Sequence, residues 1–458
     1  MIFIILFQIF VSSIIAEDPR CPFQSCSNSY NTLGCTINCE SKEFPIMGPN
    51  IEKRIRTLRL NNLENIPRNA FQFLEITSLE IKSQNLKFID DEAFANINKL
   101  DRLHLSNIHD ISLILNKNKL QFLSKITNTL SIFNSSLDEN NVLALLDQIK
   151  TWTKLEKLEL NGNLFKKFNY DFNSFQNLKT LSLSDNLIET FDIKSQMLTE
   201  LNINKNKITK VFNDSFLSSP NLINIYLNKN FINYIEPNSF CELKSLDRLV
   251  LSNNNLGSIK LYCLRNVSYL FLSNVGYEGE IDHKRMGDSI NLIELGLSDN
   301  KINKINFEKM RRLKQLDLSS NNLSHLTEAT VQTFPNLDTL DIRNNKFTQE
   351  ILSNLKPLKF LNYLDISNNF LTEIKPSDLA ENINLIMLNM DDNQINNVEF
   401  PSLENLSNLN LRNNMLRIIK ERSFSNLKFI QDLNLDSNLI SQIHSKAFFK
   451  NEVLTELS

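Results

Sequence analysis

The stretch LDLSSNNLSHL, residues 316–326, shows the pattern Leu-X-Leu-X-X-Asn-X-Leu, which recurs along most of the chain. Leu316 and Leu318 alternate with polar residues, the period-two pattern of a short strand with one buried face. Asn321 follows where the chain turns inward, and Leu323 and Leu326 supply apolar side chains on the return path. The stretch therefore predicts one coil, made of a strand, a turn and a return segment.

The copies of this pattern follow one another at intervals of mostly 21 or 24 residues. The marker Asn stands at Asn163, Asn186, Asn206, Asn230, Asn254, Asn300, Asn321, Asn345, Asn369, Asn393, Asn414 and Asn438. One further copy, LFLSNV, has Val275 in the place of Asn, and weaker copies begin at Leu58, Leu79, Leu103 and Leu130. Together they predict about seventeen repeats.

Stacking explains why the pattern must repeat, because a single short strand buries little apolar surface. Parallel strands about 4.8 Å apart place the leucines of successive coils in one continuous core. Each inward turn would leave backbone groups unpaired, at about 1–3 kcal/mol per group. Because an Asn amide carries donors and an acceptor, we expect it to bond the neighbouring coils in both directions.

The expected fold is an α/β solenoid with a parallel sheet on its concave side and irregular or short helical segments on its convex side. The wider convex side should curve the array into a horseshoe. A Phe near the motif AFxxLxxL predicts an aromatic stack on the convex side, at Phe71, Phe94, Phe216, Phe240, Phe424 and Phe448.

Two segments interrupt the repeat. LDENNVLALLDQIKTW predicts a helix that begins near Asp138 and has Leu143, Leu146 and Ile149 on one face. GYEGEIDHKRMGDS, which follows Val275, predicts a longer loop.

The N-terminal sequence predicts export from the cytoplasm. MIFIILFQIFVSSIIA is apolar, ends in the small residue Ala16 and is short for a bilayer core of about 30 Å, so it fits a secretory signal peptide without a basic n-region. No later stretch approaches about 18 uncharged apolar residues, so we predict no membrane span. The net charge of −3 leaves no basic surplus for a nucleic-acid partner.

Six cysteines follow the signal, and an even number in an exported protein predicts three disulfides. They are Cys21, Cys26, Cys35, Cys39, Cys241 and Cys263. Zinc is the alternative for the first four, although their spacings lack the close pairs of zinc sites. The last two occupy near-equivalent places on neighbouring coils, which predicts a bond across the convex side, with free buried thiols as the alternative. Glycosylation is predicted at five sequons, Asn134, Asn213, Asn266, Asn322 and Asn405.

The repeats and the Phe positions resemble the extracellular, 24-residue class of leucine-rich repeat proteins, which includes Toll-like receptor ectodomains, chaoptin-like adhesion proteins and Slit-type proteins. CPFQSCSNSYNTLGCTINCESKEF resembles the N-terminal cysteine cap of that family, without its usual closely spaced first pair. The cap implies the crossed pairs Cys21–Cys35 and Cys26–Cys39, while the residues alone leave three connectivities open. The expected domains are a signal peptide at 1–16, the cap at 17–54, repeats at 55–453 and the start of a further repeat at 454–458.

One cluster on the predicted sheet suggests a binding site. Tyr226, Val250 and Phe271 occupy the central strand position, where most repeats have small or polar residues. Tyr269 lies beside Phe271 on the same face, and Gly296 leaves a gap next to them. Exposed aromatic and aliphatic residues on consecutive strands are typical of protein-binding hot spots. The alternative is local packing beneath the GYEGEIDHKRMGDS loop.

Catalytic and cofactor motifs are not found in the sequence, which lacks HEXXH, GXSXG and GXXXXGK[ST]. Asp317, Asp341 and Asp365 form a column that could attract Ca²⁺, but Asp is a common solvated residue at this position of the repeat. The five His residues are scattered along the chain. We therefore predict no enzymatic activity, no cofactor and no metal.

The sequence thus predicts a secreted or cell-surface recognition protein of the receptor, adhesion or innate-immune type, which binds a protein or glycoconjugate ligand on its curved surface. A soluble secreted scaffold or decoy without a membrane anchor is the alternative. Homodimerisation is open, because the capless end and the sheet edge could each associate.

Overall fold

The computed structural model describes residues 21, 23, 26–46 and 54–458, so the predicted signal peptide at 1–16 lies outside the described residues. The chain divides into two units, Met1–Leu198 and Thr199–Ser458, each built around a parallel sheet. Every predicted repeat contributes one strand to these sheets, so the predicted solenoid is confirmed. Within the described ranges, the helices are too short or too polar to cross a bilayer.

The first unit opens with a hairpin of Ser27–Asn31 and Gly34–Glu40, whose second strand begins the parallel sheet. Two disulfides hold this hairpin, Cys21–Cys35 and Cys26–Cys39, with Cα atoms 5.7 and 4.7 Å apart. This is the crossed pairing that the cap resemblance implies. The parallel strands that follow are Arg54–Asn61, Glu75–Lys82, Lys99–Ser106, Thr129–Phe133, Lys157–Glu159 and Thr180–Ser182.

Shorter elements of the first unit lie on the return side of the coils. Parallel pairs join Asn65–Ile66 to Phe88–Ile89 and Lys167–Asp171 to Thr190–Lys194. The helices are Ser112–Leu115 and Glu139–Ile149, with 3₁₀ turns at Asn116–Leu123 and Phe172–Ser174.

The predicted helix begins after Asp138, whose carboxylate accepts a hydrogen bond from the Asn141 amide at 2.8 Å. Leu143 is 43% exposed, so its predicted place on the buried face is wrong. The buried stripe keeps the predicted Leu146 and Ile149 and repeats every three to four residues. That stripe consists of Val142, Leu145, Leu146 and Ile149.

The second unit continues the same plan. Its sheet contains Glu200–Asn202, Asn224–Tyr226, Arg248–Val250, Tyr269–Phe271, Glu294–Gly296, Gln315–Asp317, Thr339–Asp341, Tyr363–Asp365, Met387–Asn389, Asn408–Asn410, Asp432–Asn434 and Glu456–Leu457. Four parallel pairs lie on the return side, Lys210–Val211 with Tyr234–Ile235, Glu278–Asp282 with Lys301–Asn306, Glu373–Ile374 with Asn397–Val398, and Ile418–Ile419 with Gln442–Ile443. Short helices span Glu328–Val331 and Glu350–Asn354.

The marker asparagines form a hydrogen-bonded ladder inside the turns. Asn321 is 7% exposed, and its Nδ2 donates to the carbonyls of Leu297, Leu318 and Ser319 at 3.0–3.1 Å. Its Oδ1 accepts from the Ile302 amide at 3.0 Å. Outside its own coil, Asn321 bonds only Leu297 and Ile302, which both belong to the preceding coil. The prediction that each Asn bonds both the preceding and the following coil is therefore wrong. The following coil is joined by its own marker.

The residue before each marker makes the turn by adopting a left-handed backbone. Ser320, Asn344 and Asn368 have φ of 54°, 53° and 49°. Asn and Asp tolerate this conformation better than other residues with a Cβ. This preference explains why Asn or Asp precedes the marker in many repeats.

Aromatic rings stack along the return side, as predicted. The pairs Phe71–Phe94, Phe216–Phe240 and Phe424–Phe448 are near-parallel, with ring centroids 5.5, 5.7 and 5.7 Å apart. Beside Phe240, the disulfide Cys241–Cys263 joins two neighbouring coils, with Cα atoms 5.0 Å apart. Rings and disulfide thus link the coils on the side away from the sheet.

The sequence predicts a loop at GYEGEIDHKRMGDS, and this prediction is wrong. The segment is the return path of its own coil. Glu278–Asp282 is a strand paired with Lys301–Asn306, and Tyr277 is fully buried. The amides of Val275 and Tyr277 both donate to Oδ1 of Asn300, at 3.1 and 3.0 Å. The next marker thus bonds both amides of this turn, while Val275 has no side-chain amide to bond the preceding coil.

Candidate functional site

The register of the second unit's sheet brings the predicted binding residues together. Tyr226, Val250, Phe271 and Gly296 pair in that order on four adjacent strands, and Tyr269 lies two residues before Phe271 on the same face. Tyr226, Val250, Tyr269 and Phe271 are half-buried, whereas Gly296 is buried. We call these four half-buried residues the aromatic patch, and the outward face of the sheet the strand face.

Arg248 lies within the patch, although the sequence reading did not select it. Its guanidinium carbon is 4.0 Å from the ring centroid of Tyr269 and 5.5 Å from that of Phe271. Such contacts contribute about 0.5–1 kcal/mol at exposed sites. Arg248 therefore restrains the two rings and gives the patch a positive charge. Arg248 occupies the first strand position, two residues before Val250, whereas most of the predicted binding residues occupy the central position.

Gly296 accommodates the ring of Phe271. A Cβ atom at residue 296 would lie 3.0 Å from Cδ1 of Phe271, closer than an ordinary contact. The gap predicted at this glycine is thus filled by the patch itself. The alternative of a loop covering the patch does not hold, because the segment after Val275 pairs on the return side.

A column of carboxylates begins on the strand after Gly296. Asp317, Asp341 and Asp365 are register partners on three successive strands. The Arg343 guanidinium lies near two of them, with Nε 3.4 Å from Oδ2 of Asp341 and Nη1 3.9 Å from Oδ2 of Asp365. In the part of the chain that the structure describes, no three His, Cys, Asp or Glu side chains are placed to hold a metal ion.

Burial raises the pKa of Asp341 to about 6. The hydrogen bond from the Arg343 amide and the Arg343 charge lower the pKa, while the charges of Asp317 and Asp365 raise it. Asp341 is therefore ionised at neutral pH at a cost in stability. The same carboxylate remains accessible, with 17% of its side chain exposed.

Replacing Asp341 with Asn should stabilise the protein at neutral pH. The pKa of Asp341 in the folded protein lies above the ordinary value of about 3.9. The protonated carboxyl therefore contributes its full stabilisation below about pH 4, and this contribution is lost as the pH rises through about 6. Because solvent reaches Asp341, we expect a gain of about 1 kcal/mol at about pH 7.5, falling towards zero near pH 4. Chemical denaturation at both pH values measures it. Asp436→Asn, at an exposed position of the same face, is the control, and an equal gain at both pH values for Asp341→Asn would contradict the prediction.

A depression that the sequence reading missed lies farther along the strand face. It has a volume of about 400 Å³, and Met387 in its wall is 44% exposed. Tyr363 contributes an aromatic wall. Both residues occupy the first strand position, whereas the predicted site was based on the central position. The other lining residues include Asn389, Asn408, Asn410, Asp432, Asn434 and Glu456.

The strand face of the first unit is polar by comparison. Arg59 donates to Glu80 at 2.8 Å, and Ser131 donates to Glu159 at 2.6 Å. His104 lies on the strand beside Glu80, and burial lowers its pKa. These side chains engage one another, whereas the aromatic patch of the second unit presents apolar surface.

Comparison with known families supports the repeat assignment. The family described as "Leucine rich repeat" matches residues 196–256 and 290–347, and a second model with that description matches 360–382. The family "BspA type Leucine rich repeat region (6 copies)" matches residues 52–143 and 372–458.

Solved structures share the fold at low sequence identity. A leucine-rich repeat protein of Leptospira interrogans is 22% identical, with a TM-score of 0.56 over 83% of this chain and 95% of that chain. A chain in the Toll–Spatzle complex, described as a hub in Drosophila development and innate immunity, is 18% identical, with a TM-score of 0.67. That match covers 94% of this chain but only 64% of that chain. Each matched repeat has a strand and a return path, and those matched from residue 196 onward also have the asparagine turn, so the chain is a leucine-rich repeat protein.

Proposed function

We propose that this protein is a secreted or cell-surface recognition protein that binds a protein ligand on the strand face of its second unit. The observation that carries the proposal is the aromatic patch, in which half-buried rings on adjacent strands contact Arg248. Tyr and Arg are enriched among the residues that dominate protein–protein binding energy. Phe271 packs closely over Gly296, which restrains its ring and so limits the side-chain ordering that binding would require.

An extracellular location is supported by the covalent structure. All six cysteines are paired in three disulfides, which persist in oxidising compartments. The apolar sequence at residues 1–16 fits a signal peptide. The Toll–Spatzle structure is of a complex, and on that analogy we propose a protein ligand for this chain as well.

The predicted sequons lie outside the sheet strands, which fits a ligand site on the strand face. Each sequon Asn is exposed and lies outside the strands of the sheet. These residues are Asn134, Asn213, Asn266, Asn322 and Asn405. Secreted from eukaryotic cells, the protein should carry N-glycans, which glycosidase treatment followed by peptide mass spectrometry would report as Asn-to-Asp conversion. Unmodified Asn at all five sequons would contradict this prediction.

A binding screen tests the proposed function. The secreted protein is presented to an array of extracellular proteins and glycans, beside the variant Tyr226→Ala/Phe271→Ala. We expect at least one protein ligand to bind the wild type and to lose binding to the variant. Ligands that bind both forms equally, or only glycan ligands, would reject the proposal.

A further inference from the structure

The charges beyond Gly296 are distributed unevenly along the strand face. Within Thr199–Ser458, which the structure describes completely, the acidic side chains from Gly296 onward have few basic neighbours on that face. The acidic residues are Asp317, Asp341, Asp365, Asp391, Asp432, Asp436 and Glu456, and the basic ones are Arg343 and Arg412. A ligand on this face therefore meets a negative field.

The carboxylates nearest the patch are the accessible ones. Asp317 and Asp341 are half-buried, whereas Asp365 has 3% of its side chain exposed and accepts hydrogen bonds from Ser367 and from Asn389. Asp365 thus adds negative charge from beneath the surface, while Asp317 and Asp341 can be contacted. Arg343 neutralises only part of this charge.

Arg248 places a positive charge among the aromatic rings, while Glu200 and Glu294 lie on the two strands that flank the patch. The nearest carboxylate of the column, Asp317, belongs to the second strand beyond Phe271. At about 4.8 Å per strand, Arg248 and Asp317 are three spacings, or roughly 14 Å, apart across the sheet. Arg248 would repel a cationic group placed directly over the Tyr269 ring. Glu294, the register partner of Tyr269, and Asp317 and Asp341 farther along would attract one placed beyond the rings.

We infer that the ligand is a protein that places an apolar side chain on the aromatic patch and a basic segment beside it on Asp317 and Asp341. The inference rests on the proposed function and adds the charge and the orientation of the partner. From Tyr226 to Asp365 is six strand spacings, or roughly 29 Å, which about nine residues of extended chain would cover. A short segment is therefore long enough to contact both groups.

Three synthetic nonapeptides test this inference directly. Each carries Leu and Trp at one end and three alternating Lys, Gln or Glu residues at the other, so that only charge differs. Binding to the whole protein is followed by fluorescence anisotropy at low and at high salt. We expect the Lys peptide to bind at least tenfold more tightly than the Gln peptide at low salt, with the Glu peptide weakest, and high salt to reduce these differences.

Two variants test whether the preference for the Lys peptide depends on Asp317 and Asp341. Asp317→Asn/Asp341→Asn, which leaves buried Asp365 in place, should reduce the preference for Lys to less than threefold. Glu404→Gln/Glu421→Gln removes the same charge from exposed positions outside the sheet strands and should leave the preference unchanged. Equal binding of the Lys and Glu peptides, an unchanged preference in the Asp variant, or no binding of any peptide at about 1 mM would overturn the inference.

The same measurements separate this inference from the proposed function. If all three peptides bind equally and Tyr226→Ala/Phe271→Ala weakens all three, the patch is supported and the basic partner is rejected. If the Lys preference persists and Tyr226→Ala/Phe271→Ala has no effect, the acidic column binds without the patch, and the proposed site is rejected.

Discussion

Replacing Asn369 with Ala should lower the free energy of unfolding by about 3 kcal/mol. Its side chain, in a residue that is 4% exposed, donates to three carbonyls, those of Ile342, Ile366 and Ser367, at 2.9–3.1 Å. Oδ1 accepts from the Phe347 amide at 3.0 Å. The carbonyls of Ile342 and Ile366 keep a second Asn donor, whereas the Phe347 amide loses its hydrogen bond to Asn369.

Chemical denaturation measures the loss, and hydrogen exchange at the Phe347 amide identifies its cause. That amide should exchange faster in the variant than in the wild type. Asn384→Ala is the matched control, because Asn384 is only half-buried and donates one hydrogen bond, to the Lys359 carbonyl at 2.7 Å. We expect it to cost less than about 1 kcal/mol. Similar losses at both positions would mean that the buried ladder contributes no more than a surface hydrogen bond.

Tyr226→Ala/Phe271→Ala should weaken binding of the protein ligand by at least about a hundredfold. Truncating a buried aromatic anchor typically costs 2 kcal/mol or more, and about 1.4 kcal/mol corresponds to a tenfold change in affinity. Titration calorimetry against the ligand found in the screen measures the change, after thermal melting has shown that the variant is folded.

The matched control removes the same two residue types from the opposite side. Phe212 and Tyr234 lie on the return side of the coil before Tyr226 and of the coil that contains Tyr226. They are 42% and 44% exposed, and their ring centroids are 6.3 Å apart. Tyr234–Ile235 pairs with Lys210–Val211 on the return side. Phe212→Ala/Tyr234→Ala should change the affinity by less than about twofold, and a larger loss there than at the patch would place the site on the return side.

Much of the fold could be predicted because the repeat constrains it strongly. Alternation fixes which residues of QLDLS point inward, and the repeat spacing then fixes the register, so that Tyr226, Val250, Phe271 and Gly296 are correctly aligned. A shift of one residue would bury Asp317 and expose Leu316. The sequence therefore determines which residues share the strand face.

Contacts between side chains could not be predicted in the same way. The repeat does not reveal that Arg248 lies over the Tyr269 ring, nor that Phe271 fills the space above Gly296, because both depend on rotamers chosen among neighbours. The prediction that Leu143 shares a face with Leu146 and Ile149 was wrong for a related reason. Several adjacent apolar residues in this helix are compatible with more than one buried face. Packing against the neighbouring coils selected the face that is buried.

The direction of the asparagine ladder also required the structure. An Asn side chain can in principle bond either neighbouring coil, since its donors and acceptor are chemically sufficient for both. The left-handed residue before it, Ser320 in the case of Asn321, orients the turn so that the amide reaches the preceding coil. Backbone geometry of this kind is not encoded in the leucine spacing.

A glycan placed on the strand face tests most directly whether that face is the binding surface. Asn204→Thr creates a sequon at Asn202, the register partner of Tyr226, without changing the patch. The glycosylated variant should lose ligand binding by at least about a hundredfold, and Asn202→Gln/Asn204→Thr, which has the same Thr but no sequon, should retain it. Ligand binding by the glycosylated variant at wild-type affinity would show that the ligand does not use this face.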